Sequence, residues 1–195
     1  MSAVLFGGSR RFQAAGLVSF VLRSFFSLPG ARASVGCAVG ADALILGAAL
    51  AVAPGQVSVF AAFDPSGAGS WSGSAVGLVR RAAALGVPVS WLAGGDLCLP
   101  LVARLLRRSL AAARPCSQAV FFLDGDLSRS GSLAVARRLL PDCVAVFAFA
   151  RSAPPALSPD GCWVPAAFAG VSSAAGFSCF AWVPGASSFQ PALFS

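Results

Sequence analysis

Short apolar runs alternate with longer amphipathic stretches along this chain, and glycine, proline or serine marks nearly every boundary. Residues 3–6 form an apolar run that breaks into Gly7, Gly8 and Ser9, while residues 12–27 carry apolar side chains at helical spacing and stop at Pro29 and Gly30. A second run at 34–37 leads to a helical stretch at 42–52, ended by Pro54 and Gly55. Residues 56–63, with Val57, Val59 and Phe60, read as a strand. After a Gly/Ser-rich loop the alternation continues with a helix at 75–85, a strand at 88–92, a helix at 99–113, a strand at 118–123, a helix at 132–140 and a strand at 143–149. Helices of about ten to fifteen residues between short apolar strands are what right-handed crossovers between parallel strands require. The pattern predicts an α/β fold, a Rossmann-like parallel sheet flanked by helices.

The stretch after residue 151 is different in kind. It is rich in Pro, Ser, Gly and Phe and repeats an aromatic phrase, CWVP at 162–165 and AWVP at 181–184. We expect an irregular, aromatic-rich C-terminal extension, 151–195, whose two short strands dock on the sheet edge and cover the core of a first unit, 1–150. The weakly charged segment 164–185 is interrupted by Pro165, Gly170 and Gly176, which argues against a spanning helix. The opening MSAVLFGGSRR lacks a basic leader and a long apolar run, so a cytoplasmic protein without a membrane partner is the expectation.

Composition changes how the polar residues are weighed. The chain has no Glu, Lys, His, Tyr, Asn or Thr, yet keeps fourteen Arg and seven Asp. Surface chemistry gives no reason to exclude Lys while keeping Arg. The genetic code does: every missing residue type has adenine at the first or second position of all its codons, which points to a coding strand depleted of adenine. Mutational bias or an overlapping frame would produce this, and so would a gene selected to work in a defence or stress setting. The net charge of +7 is in part a by-product of that exclusion, whereas each Asp persists although its codons need adenine. Without histidine, and with six cysteines scattered singly and no CxxC pair, neither a metal site nor a cofactor is expected.

In an open parallel sheet ligands bind beyond the carboxyl ends of the strands. The first such loop offers Gly7, Gly8, Ser9 and Arg10, glycines that let backbone approach a phosphate and a guanidinium fork beside them. The second offers Gly36, Gly40 and Asp42, the last placed either to contact a ligand or to cap the following helix. The loop after 88–92 adds Gly95 and Asp96. The late loop carries Asp124 and Asp126 and then Ser130, Gly131 and Ser132, which open a helix in a second phosphate-cradle arrangement. On the helix at 99–113, Arg104, Arg107 and Arg108 at i, i+3 and i+4 share one face, either a solvated face or one that tracks a nucleic-acid backbone. Val102, Leu105, Leu106 and Ser109 occupy another.

The phrases VLFGGSRRF, GCAVGADALILGAAL and SGSLAVARRL, in this order, resemble the SLOG superfamily of Rossmann-like domains. It includes the DNA-processing protein Smf/DprA, the Lonely Guy (LOG) phosphoribohydrolases and the YspA/YpsA-type proteins. Gly7 to Arg10 match its Gly-Ser-Arg opening; Gly36, Gly40, Ala41 and Asp42 match its G-x-A-x-G-A-D phrase; Ser130 to Leu133 resemble its later Gly-Ser/Thr turn. The resemblance covers residues 3–149 and implies a nucleotide or nucleotide-derived ligand at the carboxyl edge of the sheet, in a phage, mobile-element or defence context. It also implies, as alternatives, LOG-like hydrolysis of the N-glycosidic bond of a nucleoside monophosphate and DprA-like binding of single-stranded nucleic acid. A homodimer is implied as well. The LOG glutamate position falls at Val135 here, so Asp124 and Asp126 are the candidate replacements if the chain is an enzyme.

Overall fold

The computed structural model describes residues 3–128, 130–140, 145–168 and 176–185. Its strands form one sheet, eight-stranded among the described residues, built around β1 (Ala3–Gly8). On one side of β1 lie β2 (Ala33–Val35), β3 (Val57–Phe60) and the two-residue β4 (Val89–Ser90), and on the other β5 (Cys116–Phe122) and β6 (Ala145–Ala150). These six are parallel. The order β4-β3-β2-β1-β5-β6 reverses between β1 and β5, so the loops after these two neighbours diverge to opposite faces and leave a crevice between them.

Side-chain alternation assigns the faces. Val4 and Phe6 of β1, with Phe122 of β5, point to the side covered by α1 (Ala15–Phe26), α2 (Ala41–Val52) and α3 (Val76–Ala84). Leu5 and Phe121 point to the other side, with the end of α4 (Leu101–Ala113) and with α5 (Gly131–Leu139). In α1 the buried positions Leu17, Val18, Val21, Leu22 and Phe25 recur on one stripe, and each such side chain contributes about 1.5–3 kcal/mol by leaving water. Phe6 meets Phe25 edge-on at 5.0 Å and Phe122 stacks on Phe149 at 5.3 Å, so the aromatics pin the central strands to this layer.

Helix α1 begins three residues later than the spacing predicts. Residues 9–14 are spent on a turn in which the Phe12 N–H donates to the Ser9 carbonyl, and the buried Phe12 ring packs on Phe122 and Phe177. The strand expected at 88–92 shortens to β4 because residues 91–94 turn away, with Leu92 at φ 50°. Residues 143 and 144, the expected start of β6, lie outside the described residues.

The aromatic phrases of the extension are strands. β7 (Gly161–Pro165) and β8 (Ser178–Pro184) pair antiparallel, and β8 adds antiparallel to β6, so both join the main sheet. Trp163 sits opposite Trp182 with their rings edge to face at 5.4 Å. Among the described residues no helix is long and apolar enough to cross a membrane.

Candidate functional site

A cavity of about 1000 Å³ opens at the reversal between β1 and β5. Its floor is strand: Leu5, Phe6, Gly7 and Phe121. One wall is α4, through Val102, Leu105, Leu106 and Arg108, and the opposite wall is the start of α5. Arg10, Arg11, Trp71 and Gly73 form the rim, and Asp42, Asp124 and Asp126 supply the carboxylates. The mouth is therefore polar and charged, while the slot between α4 and α5 is apolar.

The rim is held by loop-to-loop bonds. The Val39 N–H donates to the Gly73 carbonyl and the Ala75 N–H to the Cys37 carbonyl, so the loops after β2 and β3 pair beside the cavity. Arg104 reaches from α4 to donate through Nη1 to the carbonyls of Ala62 and Gly69, at 2.9 Å each, and locks the 64–75 loop from below. The Ser9 hydroxyl accepts the Asp124 N–H at 3.1 Å and ties the β1 loop to the β5 loop.

The centre of the site is an ion pair. Asp42 Oδ2 accepts the Ala38 N–H at 3.2 Å and Arg108 Nη1 at 3.3 Å, with both side chains nine-tenths buried. Burial pushes the Asp42 carboxyl up from its ordinary range, and the Arg108 guanidinium opposes that shift. A side chain at Gly36 would collide with the Arg108 guanidinium and with Asp42 Oδ2, so the bare backbone of Gly36 is what lets the pair close over the end of β2. Asp42 is not the helix cap, because Gly40 holds that position at φ +77° and the carboxylate turns back to the Ala38 amide.

At the opposite wall Ser130 caps α5 by accepting the Leu133 N–H. The amides of Gly131 and Ser132 occupy the first helical positions, which have no intrahelical acceptor, and both residues line the cavity. This is the wall best suited to an anion.

Several candidates fall elsewhere. Gly95 and Asp96 do not line the cavity; Asp96 is exposed and accepts the Cys98 N–H, which holds its carboxyl below the ordinary range. Gly40 packs under the Arg10 backbone outside the cavity lining. Gly8 is bare because a side chain would strike the Phe122 carbonyl, and the Ser9 N–H is spent on that same carbonyl, so these positions serve the sheet first. Asp124 accepts the Gly125 N–H and pairs with Arg151 at 3.4 Å, while Asp126 accepts the Ser128 N–H, which lowers its carboxyl.

The shared face of Arg104, Arg107 and Arg108 also needs correction. Arg104 and Arg108 are buried and only Arg107 is exposed, because α4 crosses over β3, β2 and β1 and turns its arginines toward carbonyls and a carboxylate. Val102, on the stripe that the spacing opposed to them, is 78% exposed at the cavity mouth. Arg11, which follows Arg10 in a turn and not in a helix, lines the cavity too. Trp71, Gly73 and the role of Arg108 escaped the sequence reading; the one available signal was that the apolar helix 42–52 carries a single Asp, which burial would oblige to find a cation.

No family model, curated protein or solved structure matches the chain. Among the described residues no three potential metal ligands come together.

Proposed function

We propose that the protein binds a nucleotide or nucleotide-derived ligand in the cavity between β1 and β5, with its phosphate toward α5 and the rim arginines and its less polar part in the slot between α4 and α5. The observation that carries this reading is the juxtaposition, in one cavity at the sheet reversal, of the open Gly131 and Ser132 amides, Arg10 and Arg11, and an apolar slot lined by Leu105, Leu106 and Phe121. The motif resemblance to the SLOG superfamily supports the same ligand class. Hydrolysis is the weaker reading, since Asp124 and Asp126 are each engaged with a turn amide. Binding of single strands along α4 is weaker too, since two of its three arginines are buried.

Calorimetry with a panel of nucleoside monophosphates and the matching nucleosides tests the proposal. One or more nucleotides should bind, and Arg10→Ala or Arg11→Ala should each cost about 1.5–3 kcal/mol for the phosphorylated ligand and little for the nucleoside. Absence of binding across the panel, or equal losses for nucleotide and nucleoside, sinks it.

A further inference from the structure

Asp42 has one oxygen in use and one free. Oδ2 takes both the Ala38 N–H and Arg108 Nη1, and Oδ1 accepts no hydrogen bond among the described residues. The residue is only 6% exposed and still lines the cavity, so the free oxygen is reached through the cavity. Gly7 stands beside it: a Cβ there would lie 3.5 Å from Oδ1, and its absence leaves the approach open.

A carboxylate is an acceptor, so what fits against Oδ1 is a donor, and it repels phosphate. The group that meets Asp42 is therefore a hydroxyl or an N–H and not the phosphate end of the ligand. Resting on the nucleotide reading above, we propose that Asp42 Oδ1 accepts the 2′-hydroxyl of a ribose, so that the site selects ribonucleotides over 2′-deoxyribonucleotides. The two donors on Oδ2 fix the carboxylate plane before the ligand arrives, and the Arg108 guanidinium favours the ionised, accepting form of the carboxyl. A deoxy ligand would leave this largely buried acceptor without its partner, which is the situation in which hydroxyl recognition discriminates.

The test uses the four ribonucleoside 5′-monophosphates and their 2′-deoxy counterparts, titrated by calorimetry into the wild-type protein, Gly7→Ala and Asp42→Asn. In the wild type the ribo form of whichever base binds should be favoured by about tenfold or more. Gly7→Ala sets a methyl against Oδ1 and should lower ribonucleotide affinity more than deoxyribonucleotide affinity. In Asp42→Asn the donors from Ala38 and Arg108 hold the amide oxygen at the Oδ2 place, so an NH2 group replaces Oδ1 and the sugar preference should shrink. Equal binding of ribo and deoxy forms to the wild type overturns this inference and leaves the nucleotide reading standing. A preference that follows the base and not the sugar also overturns it, by assigning Oδ1 to a base edge. No binding of any nucleotide removes both.

Discussion

Arg108 and Asp42, 66 positions apart, meet at 3.3 Å across the bare backbone of Gly36 and join helices on opposite faces of the sheet. The pair closes over the end of β2, and its two halves are not equivalent. Arg108→Met leaves a buried carboxylate with one backbone donor and should cost about 3–5 kcal/mol in urea unfolding at neutral pH. Asp42→Asn keeps an oxygen for both donors but leaves the Arg108 guanidinium buried without its counter-ion, so it should destabilise by about 1–3 kcal/mol, less than Arg108→Met, and the double variant should lose less than the two single losses added.

The same pair gives a pH dependence with a definite sign. Burial raises the folded Asp42 carboxyl above its unfolded value, so its contribution to stability is full below the ordinary carboxylate range and is lost as the pH rises through the folded value. Removing Arg108 removes the main opposing influence and raises the folded value further. The destabilisation caused by Arg108→Met should therefore be smallest in acid, where Asp42 is protonated in both states, and should grow as the pH rises toward neutrality. Unfolding midpoints of the two proteins from about pH 3 to about pH 7 measure it. A penalty that shrinks with rising pH would contradict the assignment.

The alternation of strands and helices was legible because period and punctuation are local properties, and so were the loops at the ends of β1 and β5 and the start of α5. The Asp42–Arg108 pair was not. A stripe of arginines on an amphipathic helix reads as solvent-facing, and only the long crossover of α4 from the sheet edge back to β5 turns it inward. The glycines divide the same way. Gly7 and Gly8 are indistinguishable in sequence, but strand alternation sends one toward the cavity and the other against the Phe122 carbonyl.

Arg104 is a strut for the rim, and its loss should be read as local opening. Its two charge-assisted bonds go to carbonyls at the end of β3 and in the following loop, each contributing about 1.5–3 kcal/mol. Arg104→Met keeps the length of the side chain and removes both. Hydrogen exchange should then accelerate across residues 64–75 while the amides of β1 and β5 keep their protection. Equal acceleration in the central strands would mean that Arg104 supports the whole fold.

Gly7 and Gly8 separate scaffold from site. A Cβ on Gly8 would collide with the Phe122 carbonyl and come within 2.8 Å of the Ala41 methyl, both fixed by the sheet and by α2, so the chain can accommodate it only by pushing β1 and β5 apart. Gly8→Ala should destabilise by about 1–3 kcal/mol, with the larger Gly8→Val worse. A Cβ on Gly7 meets nothing closer than 3.5 Å, and its neighbours there are Asp42 Oδ1 and the Phe121 ring. Gly7→Ala should unfold within about 0.5–1 kcal/mol of the wild type. Thermal and urea unfolding of the two variants side by side decide the point. A Gly8→Ala protein as stable as Gly7→Ala would mean that β1 and β5 do not approach each other as closely at Gly8 as described.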